Sequence, residues 1–370
     1  MLIKCNKTNL LNGLNIVSKA LSSKTTQPIL QCILIESYNG KVRLTGNSID
    51  LGINTIIDGV VIEDGSIAVE EKFIDMIRKL PDKDIIIKTS ENLTVDISCD
   101  RINYNLPYKK SDEFSALPNI ERGEGFVISQ LALRDVIKQT IFSVSTNENM
   151  ALMSGIYFSV TNDNLMVVSL DGKRISLRNI ELSKSYSPMS VIVPGKHMSE
   201  INKILSGGID DKVKIFFNEN YILFEFNDTK VVSTVIGGEY YKISKFLNID
   251  FNTIVKADRK QLIEAIDRTT LLINENDKKP IIVKVMNDDN MYLRVDTNIG
   301  SLNENIEIEK EGGEIIIGFN PKYLLDVLRV IDDDVVQIYM SDSKNPCSIK
   351  ADDDSYNYII LPININTSIY

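Results

Sequence analysis

Short apolar strands followed by apolar stripes at helical spacing recur three times along this chain. Ile3-Lys4-Cys5 precedes Leu10 and Leu14, Phe126-Val127-Ile128 precedes Leu133 and Ile137, and Val255-Lys256-Ala257 precedes Leu262 and Ile266. The second and third copies lie 123 and 252 residues after the first. Apolar positions four apart fall on one helix face, so each copy predicts a strand, a turn and an amphipathic helix. A similar unit closes each copy: Ser66-Ile67-Ala68-Val69 before Lys72–Lys79, Ser190-Val191-Ile192-Val193 before residues 196–205, and Glu314-Ile315-Ile316-Ile317 before residues 321–331. Six strand-then-helix half-units predict triplicated domains with pseudo-symmetry inside each. A period of about 125 residues is too long for a solenoid repeat, so each copy is expected to be a domain.

Between these helices the chain reads as strands. Val42-Arg43-Leu44-Thr45, Ile85-Ile86-Ile87, Ile156-Tyr157-Phe158-Ser159-Val160, Leu165-Met166-Val167-Val168, Val213-Lys214-Ile215-Phe216-Phe217 and Tyr221-Ile222-Leu223-Phe224-Glu225-Phe226 are short and β-branched or aromatic. Turn signals at Asn39-Gly40, Asp163-Asn164, Asn218-Glu219-Asn220 and Asp288-Asp289-Asn290 separate strands. Strand-rich copies with two helices each predict an α+β fold, three tandem domains of two helices packed on antiparallel sheets. Polar, strand-poor stretches at residues 109–125 and 242–252 are the candidate linkers. The expected domains are residues 1–119, 126–247 and 253–370.

At 370 residues the chain can bury several cores, and 43% apolar with 25% charged residues is ordinary for a soluble globular protein. No apolar run approaches the roughly 20 residues of a membrane helix. The start, Met1-Leu2-Ile3-Lys4-Cys5-Asn6, shows no basic leader before an apolar stretch, so a cytoplasmic location is expected. Cys5, Cys32, Cys99 and Cys347 form no CxxC pair and are expected to be buried thiols in a reducing compartment. No GxGxxG, Walker A or HExxH motif occurs, and the single histidine, His197, has no Cys or Ser motif to pair with. Asp332-Asp333-Asp334 and Asp352-Asp353-Asp354 are acidic runs of the kind that usually lie in solvated loops. Neither a metal nor a cofactor is expected.

Charge distribution changes this picture more than its sum. The net charge of −10 argues against a nucleic-acid partner, whose usual footprint is a basic patch. The six helical windows (residues 8–21, 72–79, 130–140, 196–204, 258–270 and 321–331) nevertheless carry +6 together, leaving −16 on the remainder. Symmetric copies can place all six helices on one concave wall, which would then be basic.

Several words of the sequence, in order, carry a family resemblance. They are Lys24-Thr25-Thr26-Gln27-Pro28-Ile29-Leu30 with Leu44-Thr45-Gly46-Asn47, then Asp171-Gly172-Lys173-Arg174, then Gly318-Phe319-Asn320-Pro321-Lys322-Tyr323-Leu324-Leu325-Asp326-Val327-Leu328, and finally Tyr358-Ile359-Ile360-Leu361-Pro362-Ile363. Together they resemble the bacterial DNA polymerase III beta subunit, the sliding clamp family. The resemblance spans nearly the whole chain. It implies a head-to-tail homodimer whose six domains close a ring around duplex DNA, holding the replicative polymerase for processive synthesis without a catalytic site of its own. A basic lining would attract phosphates without reading sequence, and an acidic exterior would discourage other contacts.

The resemblance also implies sites. DNA contact falls to Lys24, Asn147, Lys196, Asn320 and Tyr323. A groove for short extended peptides, carrying a Gln and a Leu/Phe tail, falls to Leu170, Gly172, Lys173, Arg174, Ile175, Tyr241, Phe246, Ile359, Leu361, Pro362 and Ile363. Its expected occupants are the polymerase alpha subunit, the clamp loader and other proteins with such peptides. The ring seam falls to Lys72, Ile102, Tyr104 and Leu106 against Leu271 and Leu272. This chain departs from the family at Leu170, a polar residue in many relatives, at Tyr240-Tyr241-Lys242-Ile243 in place of Phe-Pro-Asp-Tyr, and at Met150-Ala151-Leu152 in a loop that is often basic or aromatic. A tail, residues 364–370, runs past the usual stop and could partly cover the groove. Competing readings are an enzyme, a protein-only scaffold with a peptide groove, and a specialised clamp paralogue.

Overall fold

The structure, a computed structural model, describes residues 1–22, 25–123, 125–147, 149–247, 249–273 and 279–365. Two compact units divide the chain, residues 1–134 with 196–237 and residues 135–195 with 238–370. The first unit holds two antiparallel sheets. One has five strands in the order Val60–Glu63, Leu2–Asn6, Asp84–Thr89, Thr94–Cys99, Ile102–Pro107. The other has eight, in the order Gly125–Ser129, Lys212–Phe217, Tyr221–Phe226, Thr229–Thr234, Leu51–Ile57, Lys41–Asn47, Cys32–Tyr38, Gly65–Glu70. The eight-stranded sheet joins first-repeat and second-repeat strands where Thr229–Thr234 pairs with Leu51–Ile57, setting Val231 opposite Ile53. Buried hydroxyls of Thr55 and Thr229 meet at 2.8 Å on that junction.

The second unit repeats this device. Its seven-stranded sheet runs Gly155–Leu170, Arg174–Pro194, Tyr356–Ile360, Cys347–Lys350, Val335–Met340, Thr253–Asp258, Glu309–Gly312. The join of second and third repeats is the pairing of Arg174–Pro194 with Tyr356–Ile360, with Ile175 opposite Ile359. A four-stranded sheet runs Gly300–Glu307, Asn290–Thr297, Ile281–Val285, Ile315–Phe319.

The repeat reaches down to single caps. Each copy ends its first strand on a residue that closes the next helix. Asn6 accepts from Thr8 N at 2.9 Å, the Ser129 hydroxyl from Ala132 N at 3.1 Å, and Asp258 from Gln261 N at 2.7 Å. These residues stand 123 and 252 positions apart, matching the apolar offsets. Short oxygen-bearing side chains satisfy amide groups that the first helical turn leaves unpaired. The helices they open are Lys7–Val17, Gln130–Thr140 and Arg259–Thr270. Their stripes face the cores: Leu10, Leu14, Leu133, Ile137, Leu262 and Ile266 are all buried, as are the strand residues Ile3, Phe126 and Val255. The second-half helices are Lys72–Lys79, Gly195–Ile204 and Pro321–Leu328. The first expected window, residues 8–21, is shorter as a helix: Lys7–Val17 gives way to a 3-10 turn, Ser18–Ala20, which holds Lys19.

Turn chemistry follows the sequence at two sites and departs at a third. Asn39 and Gly40 take φ of 51° and 73°, the left-handed pair of a two-residue hairpin closing Tyr38 opposite Lys41. The Asn218 carboxamide accepts from Asn220 N and Tyr221 N. Asp163-Asn164, expected to separate two strands, instead sits inside the single strand Gly155–Leu170. Its partner, Arg174–Pro194, absorbs the irregularity. Asn162 (φ 56°) faces Tyr186 while Asn164 faces Glu181, so extra partner residues bulge out and the ladder resumes. All four cysteines are buried, free thiols. Among the described residues no helix is long and apolar enough to cross a membrane.

His197 has a structural place. It is 5% exposed, its Nδ1 lies 2.7 Å from Ser233 Oγ, and that hydroxyl donates to Thr234 O. With the hydroxyl proton committed to the carbonyl, Nδ1 is the donor. Burial first, and then the Lys196 charge, holds its pKa down to about 4 from 6.5. The unfolded chain therefore takes up this proton between pH 6.5 and 4 while the folded chain does not. Stability from this site is full above pH 6.5 and falls by about 3 kcal/mol as pH drops to 4. Urea unfolding of wild type and His197→Phe across pH 7 to 4 checks this; the variant is expected to lose that part of the slope.

Candidate functional site

The Asp171-Gly172-Lys173-Arg174 turn links the two long strands of the second unit. Asp171 Oδ1 accepts from Lys173 N at 2.9 Å and Arg174 N at 3.0 Å, folding the chain back on its own carboxylate. Gly172 turns at φ +82°, a conformation that a side chain disfavours. Leu361 N donates to Lys173 O at 2.8 Å, which fastens the segment after Tyr356–Ile360 to the turn.

These elements frame an apolar pocket of about 160 Å³. Nine of the eleven expected groove residues line it: Leu170, Gly172, Lys173, Arg174, Ile175, Tyr241, Phe246, Ile359 and Leu361. Pro362 and Ile363 are not among the lining residues; Ile363 N donates instead to Gly318 O at 2.8 Å. Gly318 must be small here, since a Cβ would stand 2.6 Å from Ile365 Cγ2. Of the tail, residues 366–370 lie outside the described residues. Met153 and Ile243 also line the pocket, though the sequence reading did not single them out. Their signal is the apolar run Met150-Ala151-Leu152-Met153 and the isoleucine closing Tyr240-Tyr241-Lys242-Ile243. That second stretch is rigid for an aromatic reason. Tyr240 is buried and stacks on Tyr157 with centroids 4.7 Å apart and planes 6° apart. Tyr241 meets its edge at 5.7 Å. The pair presents Tyr241, 43% exposed, at the pocket mouth beside Phe246, 45% exposed.

Arg174 is the one guanidinium on this wall, and it is 8% exposed. Nε donates to Asp171 Oδ2 at 3.0 Å, Nη1 to Asp326 Oδ2 at 2.6 Å, and Nη2 to the Phe142 carbonyl. The Tyr323 ring lies 4.4 Å and the Phe142 ring 5.3 Å from its central carbon. Tyr323, expected at DNA, thus packs on a residue of the pocket wall without itself lining the pocket. Asn320, expected beside it, caps the Pro321–Leu328 helix by accepting from Lys322 N.

Asn147 is exposed in a turn where its side chain accepts from Asn149 N and its carbonyl from Met150 N. Lys196 is exposed, with Asp50 at 3.7 Å. Lys24 lies outside the described residues. Of the expected seam residues, Lys72 opens the Lys72–Lys79 helix, and Ile102, Tyr104 and Leu106 lie on Ile102–Pro107, an edge strand of its sheet. Leu271, 79% exposed, and Leu272 stand beside another edge strand, Gly300–Glu307, in a depression shared with Arg268, Ser301, Leu302 and Asn303. That edge strand went unnoticed in the sequence because Glu304 sits between Leu302 and Ile306 on the inner face, so that burial alternates there while polarity barely does. Among the described residues no three His, Cys, Asp or Glu side chains converge to hold a metal. The acidic runs are tied locally, Asp333 by the Tyr356 hydroxyl at 2.6 Å and Asp352 by Gln337 at 2.7 Å.

Comparison with known proteins gives this geometry a context. Models of the DNA polymerase III beta subunit match in order, the N-terminal domain at residues 1–118, the central domain at 127–242 and the C-terminal domain at 245–364. The chain is 32% identical over 364 residues to the beta sliding clamp of Staphylococcus epidermidis, spanning 95% of this chain and 96% of that one. It is similar to the crystal structure of a DNA polymerase III beta subunit from Eubacterium rectale, with TM-score 0.94, 48% identity, and 99% and 100% of the two chains covered. It is similar also to the DNA polymerase sliding clamp of Bacillus subtilis, with TM-score 0.95, 27% identity and the same coverage.

Removing the Arg174 cation should leave two inward-facing carboxylates without their partner. Arg174→Met is expected to cost about 3 kcal/mol. Urea denaturation measures this against Arg174→Lys, which keeps the positive charge and is expected to lose less; equal losses in the two variants would point away from the charge pairing.

Proposed function

This chain belongs to the DNA polymerase III beta subunit family, the beta sliding clamps, and we propose that it works as a ring-shaped homodimer that encircles duplex DNA and tethers a replicative polymerase. The match of three domain models, in order and along nearly the whole chain, carries this reading. The physics is consistent with it. A topological grip needs only weak, sequence-blind phosphate contacts, and those let a clamp slide. The helical windows carry +6 in a chain of net −10, so attraction can sit on the lining while the exterior repels. We assign phosphate contact to Lys24, Asn147, Lys196, Asn320 and Tyr323, the last of which also packs on Arg174.

The pocket takes extended peptides from the polymerase, the clamp loader and other partners. Its volume suits one aromatic or branched side chain, and Tyr241 and Phe246 form exposed aromatic walls of the kind that anchor interfaces. Micromolar affinity, about −8 kcal/mol, suits partners that must exchange. The seam joins the Ile102–Pro107 edge of one copy to the Gly300–Glu307 edge of another by strand addition. The protein acts in the cytoplasm as a processivity factor with no catalysis of its own, and we assign its three clamp domains to residues 1–119, 126–247 and 253–370.

Retention on nicked circular DNA, lost when the circle is linearised, is the direct test of a topological grip. Retention independent of circularity would indicate ordinary binding, and no retention a protein-only scaffold. The double variant Lys24→Glu with Lys196→Glu is expected to flatten the salt dependence of loading by about two units of slope while leaving the dimer mass unchanged. In light scattering, Tyr104→Pro with Leu272→Asp is expected to give a particle of 41.7 kDa where wild type gives twice that mass.

A further inference from the structure

We propose that Asp326, which does not itself line the pocket, is a positioning residue that sets the pocket's preference for uncharged apolar side chains by holding the Arg174 guanidinium away from it. The inference rests on the peptide-pocket reading above. Arg174 belongs to the pocket wall, yet each of its three guanidinium nitrogens is engaged and the Tyr323 and Phe142 rings lie close to it. The side chain therefore offers the pocket its aliphatic stem and withholds its charge.

The two carboxylates on Arg174 differ in what they do. Asp171 lies three residues away and its other oxygen already accepts two backbone amides, so its placement belongs to the turn. Asp326 comes from the Pro321–Leu328 helix, 152 positions along the chain, and is 21% exposed on its side chain. It is the long-range anchor. A charge-assisted hydrogen bond in partly buried surroundings is among the stronger polar contacts in a protein, and losing one partner leaves the other in search of solvent. Without the Asp326 charge, Nη1 has no carboxylate, and the pocket that Arg174 already lines is open for the guanidinium to turn into. A cation arriving there would repay an acidic residue next to the apolar anchor and spoil the fit of a neutral one.

The test uses the full chain and two fluorescein-labelled synthetic peptides that share a Gln and a Leu-Phe tail, one uncharged and one with Asp immediately before the Leu. Anisotropy is read at 50 and 300 mM salt. Wild type is expected to bind the uncharged peptide about threefold or more tighter than the acidic one. Asp326→Asn should weaken the neutral peptide about tenfold and give the acidic peptide an advantage of about tenfold that fades at high salt, as expected for a partly exposed ion pair. Asp326→Glu, which keeps the charge, should stay within about threefold of wild type. Equal weakening of both peptides by Asp326→Asn at both salts would mean a merely structural role and overturn the proposal, as would unchanged binding. If Asp326→Asn does not fold, Tyr323→Leu decides. It strips one ring from the guanidinium but keeps both carboxylates, and a salt-sensitive acidic preference of about threefold supports the proposal while none overturns it. Wild type binding neither peptide would overturn the pocket reading itself, and the proposal with it.

Discussion

Backbone pairing between repeats is the constraint on which the rest of this structure depends. Each copy supplies sheets whose edge strands carry unpaired amide and carbonyl groups. The chain resolves two of these edges internally. Thr229–Thr234 lies against Leu51–Ile57, and Arg174–Pro194 lies against Tyr356–Ile360. Each ladder contributes several hydrogen bonds of about 1 kcal/mol net, and the larger effect is that the edges joined there are not left open. The pocket depends directly on the second ladder. Ile175 and Ile359, which both line it, are partners across that pairing, and Leu361 reaches Lys173 O only because the strands are already in register.

Much of this was legible from spacing. The nine apolar residues that announce the repeats are buried, because a stripe four apart and a strand alternating by two leave few alternative faces to bury. The same offsets carry Asn6, Ser129 and Asp258, so the repeat encodes where each helix begins as well as which face it hides. The Asp171-Gly172-Lys173-Arg174 turn is likewise local chemistry, a carboxylate receiving two amides and a glycine at positive φ.

What escaped the sequence is what distant partners decide. Asp163-Asn164 has turn composition, but a long partner strand that tolerates a bulge carries the ladder through it. Nothing in the pattern around Tyr323 announces that Arg174, far away in sequence, lies against its ring. Tyr240 could be read as a lost proline motif, whereas its stack on Tyr157 replaces the stiffness that a proline would supply. The Gly300–Glu307 edge alternates so weakly in polarity that only its place at the end of a sheet reveals it.

The two internal ladders make the middle repeat a poor candidate for excision. Cut out at its sequence boundaries, residues 126–247 would leave Thr229–Thr234 without Leu51–Ile57 and Arg174–Pro194 without Tyr356–Ile360. Such a fragment would carry two raw strand templates, each flanked by buried isoleucine and valine, and other chains could add to either. Gene triplication of this kind thus yields modules that are similar in pattern yet no longer interchangeable: once neighbours share a sheet, a copy can be altered within its place but not lifted out of it.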